Sequence, residues 1–272
     1  MAKIKVAILY GGRSVEHGVS INSARNIFEF IDRKQFTPIP IGITEAGKWH
    51  LTTSVNKEIS RGKPISMALN PGKARFTAGT KQFSFDAVFP VLHGTDGEDG
   101  SIQGLLKAMD LPMVGSGVLG SSLSMNKIVA KRLLKEAGLP VTEFIPVSFY
   151  DKTKPSFEEV EKKLGLPFMV KSASLGSSVG VSKVNSKKEF AKAVKDSFRY
   201  DDELLFERYI RGREIECAIL GNTPPLASLP GEIIISKEYE FYTFDAKYVD
   251  GNAVSIDVPA KIPTDAVERI RD

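Results

Sequence analysis

Lys171 closes an apolar run that starts at Pro167, and it stands at the entrance to a loop of small residues, Ser172-Ala-Ser-Leu-Gly-Ser-Ser178. An apolar-rich run resumes from Val179 to Val184. Two strands joined by a flap fit this pattern. Gly176 and Gly180 let the backbone come close to a ligand. Ser174, Ser177 and Ser178 supply hydroxyls, and successive backbone N–H groups in such a loop can cradle an anion. With a lysine at the entrance, the fitting guest is a polyphosphate. The Gly-x-x-x-x-Gly-Lys-[Ser/Thr] phosphate loop is excluded, because the lysine precedes the glycines and a strand follows. A plain Gly/Ser hairpin turn carries the same letters, so the loop does not decide alone.

A second reactive stretch follows the first strand, Lys3 to Tyr10: Gly11-Gly-Arg-Ser-Val-Glu-His-Gly-Val-Ser20. The Gly-x-Gly-x-x-Gly dinucleotide spacing is missing, and Glu16 would repel a pyrophosphate, so this loop suits a cation such as an ammonium group. His93-Gly-Thr-Asp-Gly-Glu-Asp-Gly100 ends a third strand, Asp86 to Leu92. Its carboxylates lack the twelfth-position glutamate of an EF-hand, and it reads as a tight strand-to-helix loop. His93 faces the crevice where such folds hold ligands, although a structural histidine fits equally. Lys127, Lys131 and Lys135 follow one another at helical spacing, which by default is a solvated stripe. Glu214 and Glu216 share one face of an alternating run, opposite Ile215, Cys217 and Ile219.

The elements that must position these groups alternate along the chain. Helices are expected from Ile21 to Ile31 with Ser20 as cap, from Ser101 to Met109, from Leu123 to Ala137, and from Thr264 onward. Capping boxes at Ser156/Glu159 and Ser186/Glu189 open two more. Strands are expected at Thr37–Ile43, Trp49–Leu51, Phe83–Phe85, Leu111–Val114, Phe144–Tyr150, Leu204–Ile210 and Glu232–Ile235. Gly115 to Ser122 reads as a linker and domain boundary. The aromatic stretch Glu238 to Val249 reads as a loop that packs over something. The fold class is therefore α/β, with a Rossmann-like N-terminal part. The 272 residues exceed one small core. A net charge of +4 dispersed among 33 acidic residues gives no support to nucleic-acid binding. The single cysteine favours a reducing compartment, no run reaches membrane-spanning length, and a cytoplasmic protein is expected.

Seven stretches, in order, resemble the D-alanine–D-alanine ligase family of the ATP-grasp superfamily. They are Gly11–Ser20, His93–Gly100, Gly115-Ser-Gly117, Ser124-Met-Asn-Lys127, Val170–Val184, Glu207-Arg-Tyr-Ile210 and Asp245-Ala-Lys-Tyr248. The resemblance implies a Rossmann-like substrate domain over residues 1–120, a small ATP-grasp subdomain with the flap over 121–212, and the start of a second ATP-grasp subdomain over 213–272. It implies that ATP phosphorylates one D-alanine and that a second attacks the acyl phosphate, for peptidoglycan precursors. ATP would be held by Lys127, Lys171, Ser178, Glu207, the backbone of Arg208, Tyr209 and Ile210, Glu214 and Lys247. Glu16 would pair with the first substrate's ammonium, with His93 nearby. Glu16, Ser177 and Tyr248 would form the catalytic hydrogen-bonded group that positions the second substrate. Relatives that use D-lactate lack this tyrosine, so D-alanine is expected as second substrate. Mg2+ or Mn2+ and a homodimer are implied as well.

The family's metal-holding carboxylates and asparagine, and an arginine, lie in an Asn-x-x-Pro-Gly-like segment absent from residues 1–272. No metal ligand is therefore expected within them, and little turnover from a chain ending at Asp272. Three rivals remain: another ATP-grasp carboxylate–amine ligase, a nucleotide-binding fragment without catalysis, and a nicotinamide-dependent oxidoreductase.

Overall fold

The computed structural model describes residues 2–68, 75–236, 239, 242–248 and 250–272. Its first half is built on β1 (Ile4–Gly11), whose alternate side chains enter two different cores. Ala7 and Leu9 pack on one face with Val88, Ile102, Leu106 and Met109, while Ile8 and Tyr10 pack on the other with Ile21 and Ala24. A strand buried on both faces must be apolar throughout, and this one is from Val6 onward. After β1 come α1 (His17–Phe30), β2 (Phe36–Ile43), β3 (Trp49–Leu51), β4 (Lys63–Ala68), β5 (Arg75–Ala78), β6 (Lys81–Phe83), β7 (Ala87–Pro90) and α2 (Ser101–Ala108). The sheet order is β6-β5-β4-β3-β2-β1-β7, with β1 parallel to both neighbours. Ligand-facing loops therefore gather at the carboxyl ends of β1 and β7.

Two short helices follow, α3 (Val118–Met125) and α4 (Lys127–Glu136), then β8 (Phe144–Ser148), α5 (Phe157–Leu164), β9 (Phe168–Ser172), β10 (Val181–Val184), α6 (Lys187–Ser197) and β11 (Glu203–Arg208). These strands form an antiparallel sheet in the order β10-β9-β11-β8. Phe168, Val170, Leu204 and Phe206 point to one face, against Phe157, Val160 and Phe190. Phe190 meets Phe206 edge-on, with ring centroids 5.3 Å apart. By the period of two, Met169 and Lys171 on β9 and Leu205 and Glu207 on β11 share the opposite face. The rest comprises β12 (Glu214–Glu216), β13 (Ile219–Leu220), β14 (Leu226–Ala227), β15 (Gly231–Ile235), α7 (Phe244–Tyr248), β16 (Val254–Asp257) and α8 (Thr264–Arg271). A small sheet β12-β15-β16 faces the β9–β11 face across a cleft. No helix among the described residues is long and apolar enough to cross a membrane.

Several expectations need correction. Helix α1 begins at His17, so Ser20 lies inside it; its buried Oγ accepts from Gly11 N (2.8 Å) and donates to the Val91 carbonyl, tying α1 to two strand ends. Ser101 is the first helical residue of α2 and Gly100, in a left-handed conformation, precedes it as cap. The Phe83–Phe85 strand is displaced to Lys81–Phe83, and the expected strand at Leu111–Val114 is a single bridge between Met113 and Val88. The supposed linker contains α3, and the expected helix from Leu123 is broken at Asn126, whose side-chain oxygen caps α4 by accepting from Ile128 N and Val129 N. Leu133, on α4, is half-exposed. The capping box at Ser156/Glu159 forms in full, whereas Ser186 makes no side-chain cap and Glu189 accepts from Asn185 N instead. Within the aromatic stretch, Phe244–Tyr248 is a helical turn, and Glu238, Glu240, Phe241 and Val249 lie outside the described residues.

Candidate functional site

Glu207 is the best-buried charge in the cleft, with only 7 % of its surface exposed. An ionised carboxylate in that position needs cations, and two lysines provide them. Lys171 bonds one oxygen from the neighbouring strand, and Lys131, reaching in from α4, sits 2.5 Å from the other. Burial alone would push this carboxyl up; Lys171 and Lys131 outweigh it and hold it below the usual carboxylate range. Lys127, one turn before Lys131, donates to the carbonyls of Ser172 (3.3 Å), Ala173 (3.5 Å) and Leu175, fastening the base of the flap. Burial and the nearby Lys171 charge bring Lys127 down to about 8.

The cleft has a volume of about 440 Å³. Lys127, Lys171, Ser178, Glu207, Arg208, Tyr209, Ile210, Glu214 and Lys247 all line it, together with Ser177. Arg208 turns its guanidinium away, onto Glu143 (2.7 Å) and the Lys163 carbonyl (3.3 Å), leaving its backbone toward the cleft. Across from Lys171, the Lys247 ammonium lies 4.5 Å from the Tyr242 ring centroid. Burial lowers the Lys247 pKa, against the opposing pull of Glu216 and Glu214. Residues given no site role from the sequence also line this space: Thr142, Met169, Leu175, Val181, Glu216 and Tyr242.

The flap reaches across to the N-terminal part. Ser177 Oγ donates to a Glu16 carboxylate oxygen and lies 2.9 Å from Tyr248 OH; Ser178 Oγ donates to the Tyr242 carbonyl at 2.6 Å. Ser177 and Ser178 both have positive φ, +50° and +62°, which turns the flap tip inward. Residues from three distant elements thus meet at the Ser177 hydroxyl. Glu16 is 4 % exposed and stands beside Gly94, where an added Cβ would lie 2.3 Å from Glu16 Oε2. Gly94 is a glycine because the carboxylate occupies that space and because its φ is +67°.

His93 sits apart from this hydrogen-bonded group. Its Nε2 is 3.3 Å from Ser23 Oγ and its Nδ1 is 3.8 Å from Glu98 Oε1. The nearby Glu98 carboxylate raises the imidazole pKa against burial, and Glu16 adds to that effect through space. His93 lines a neighbouring hollow of about 290 Å³ with Gly12, Arg13, Asp96 and Ser101. The other carboxylates of its loop are occupied locally: Asp96 pairs with Arg13 (2.7 Å), and Asp99 accepts from Asp96 N and Ser101 N. Among the described residues no group of three or more His, Cys, Asp or Glu could hold a metal ion. The described residues therefore do not by themselves make up a metal site.

Lys131 corrects the expectation of a solvated stripe. Only Lys135 of the three is exposed; Lys131 keeps 16 % of its side chain accessible, donates to the Thr142 carbonyl (3.2 Å) and lies 5.4 Å from the Phe144 ring centroid. A lysine trio with no acid at helical spacing was the available signal. Cys217 donates to the Ser228 carbonyl at 3.3 Å and takes no part in the cleft.

Two family models match: "D-ala D-ala ligase N-terminus" over residues 5–116 and "D-ala D-ala ligase C-terminus" over residues 133–272. The chain is 45% identical to D-alanine–D-alanine ligase A of Salmonella typhimurium, over 100% of its own length and 78% of that protein. It is similar to the solved D-alanine–D-alanine ligase of Coxiella burnetii, with TM-score 0.78 and 40% identity, covering 85% of this chain and 71% of that one. A D-Ala:D-Ser ligase of Enterococcus faecalis aligns with TM-score 0.82 and 32% identity, over 99% of this chain and 80% of that one.

Proposed function

The chain belongs to the D-alanine–D-alanine ligase family, and from that premise we infer that it is a carbon–nitrogen ligase of the ATP-grasp fold that joins two D-alanines with ATP. The dipeptide serves as a peptidoglycan precursor, made in the cytoplasm by a homodimer. The chain divides into a substrate domain over residues 1–120, a flap-bearing subdomain over 121–212 and a further ATP-grasp part over 213–272.

The observation that carries the site assignment is the junction of Glu16, Ser177 and Tyr248 at the rim of the lysine-lined cleft. Adenine lies against the Arg208–Ile210 backbone, with its amino group donating to Glu207, and the ribose hydroxyls donate to Glu214. Lys171 and Lys247 meet the phosphates from opposite walls, and Lys127 adds a third positive charge near them. Mg2+ or Mn2+ would enter with the nucleotide and offset phosphate charge, and none of the described residues is assigned to hold it.

Glu16 accepts the ammonium of the first D-alanine, which leaves that substrate's carboxylate free to face the γ-phosphoryl group, with His93 close to the same substrate. A carboxylate oxygen attacks phosphorus, the bond to the bridging oxygen breaks, and ADP and an acyl phosphate result. The amine of the second D-alanine, having lost a proton, attacks the acyl carbon, and inorganic phosphate leaves. Tyr248 and Ser177 orient that second substrate. The acyl phosphate survives because the Ser177–Glu16 and Ser178–Tyr242 contacts keep the flap shut over it, excluding water.

Incubation of the protein with ATP and D-alanine tests this reading. ADP and D-alanyl-D-alanine should form in equal amounts, and D-serine or D-lactate offered with D-alanine should give less mixed product. ADP formation without dipeptide, or nucleotide stabilisation without ADP, would overturn it.

A further inference from the structure

In this structure Lys171 is engaged with Glu207, yet the proposed function requires Lys171 at the phosphates and Glu207 at the adenine. The inference rests on that reading. If Lys171 simply left, a carboxylate with 7 % exposure would lose half of its charge compensation. The other half is Lys131, which approaches Glu207 Oε1 while Lys171 holds Oε2. Lys131 has little freedom to leave: its ammonium is bonded to the Thr142 carbonyl at 3.2 Å, and Nζ stands 5.4 Å from the Phe144 ring centroid. Lys171, with 26% of its side chain exposed, is the mobile partner.

We propose that Lys131 is a positioning residue that keeps Glu207 paired when nucleotide binds and so releases Lys171 from Glu207 to the phosphates. Without Lys131, Lys171 is the remaining lysine paired with Glu207 and would have to choose between a buried carboxylate and the triphosphate. Both demands are electrostatic, and removing one partner from a buried charge pair is costly because the remaining charge stays unpaired. The effect is thus selective: it weakens recognition of phosphates, not of the nucleoside.

The test is isothermal titration with a non-hydrolysable ATP analogue and with adenosine, using the wild-type protein, Lys131→Met, and Lys131→Met combined with Glu207→Gln. Methionine retains an unbranched side chain against Phe144, and a melting temperature confirms folding. Lys131→Met should weaken the analogue by about tenfold or more while changing adenosine by less than about threefold. Glu207→Gln removes the competing charge but keeps an oxygen that can accept from the adenine amino group. The double variant should therefore recover most of the loss. A merely structural lysine would weaken both ligands alike and would not be rescued. Unchanged analogue affinity in Lys131→Met, or a double variant no better than the single one, would overturn the proposal. If the wild-type protein binds the analogue no better than adenosine, the nucleotide reading itself fails, and this inference with it.

Discussion

Replacing Ser177 by alanine removes a hydroxyl that touches both Glu16 and Tyr248 without altering any charge. A hydrogen bond to an ionised group contributes about 1.5–3 kcal/mol and a neutral one about 0.5–1.5 kcal/mol. Tyr248 is 44% exposed, so water replaces much of the second bond and the lower half of the sum applies. That leaves about 2–3 kcal/mol, or a closing equilibrium about 30- to 150-fold less favourable. The loss is local, because Ser177 contributes to neither of the large hydrophobic clusters. Hydrogen exchange at the flap amides reports the equilibrium directly; the Val179 N–H to Gly176 carbonyl bond (3.1 Å) is a suitable probe. Steady-state kinetics should show kcat/KM for D-alanine falling in parallel, with the melting temperature nearly unchanged. Ser177→Gly is the companion variant: it removes the same hydroxyl and relieves the +50° φ, so both variants should open the flap. Flap protection and kcat/KM both within about twofold of wild type would refute the reasoning, since the bonds would then carry no closing energy.

Three further outcomes follow from the same geometry. Lys127 has a pKa of about 8 against an ordinary 10.5, so the unfolded chain holds the extra proton between those values. Its contribution to stability therefore improves as pH rises from 8 to 10.5, while triphosphate affinity, which needs the charged form, falls above pH 8 by up to about tenfold per pH unit; titrations across pH 7 to 9 check this, and Lys127→Met should flatten the profile. Gly94→Ala would place a Cβ 2.3 Å from Glu16 Oε2 and 2.6 Å from Ser14 Oγ at a φ of +67°, raising the D-alanine KM at least about tenfold and lowering stability by about 1–3 kcal/mol, as measured by kinetics and urea unfolding. Ser156→Ala breaks a complete capping box remote from the cleft; stability should fall by about 1 kcal/mol in urea unfolding with kcat/KM unchanged.

What the sequence disclosed was mainly local. The hairpin around the flap, the buried first strand and the Ser156 cap each follow from nearest neighbours, and each formed as those neighbours dictate. Elements set by distant partners were less legible. Ser20 has the letters of a cap, but Gly11 and Val91 claim its hydroxyl, so α1 starts earlier. Ser186 loses its capping box because Asn185 N takes the Glu189 carboxylate first. The break between α3 and α4 depends on Asn126 bonding Ser174 (3.2 Å) and Glu203 (3.1 Å), residues far along the chain. Lys131 is hidden from the sequence for the same reason: helical periodicity gives its face, but the carboxylate that faces it lies on β11. The cleft residues were named through resemblance; their convergence on one cleft is a property of the packed sheets.

The most direct test of the central claim is a crystal structure of the protein with a non-hydrolysable ATP analogue and D-alanine. Phosphates are expected between Lys171 and Lys247, the adenine amino group on Glu207, and the D-alanine ammonium on Glu16. Phosphates lying instead along Gly11 and Gly12, at the carboxyl end of β1, would contradict it.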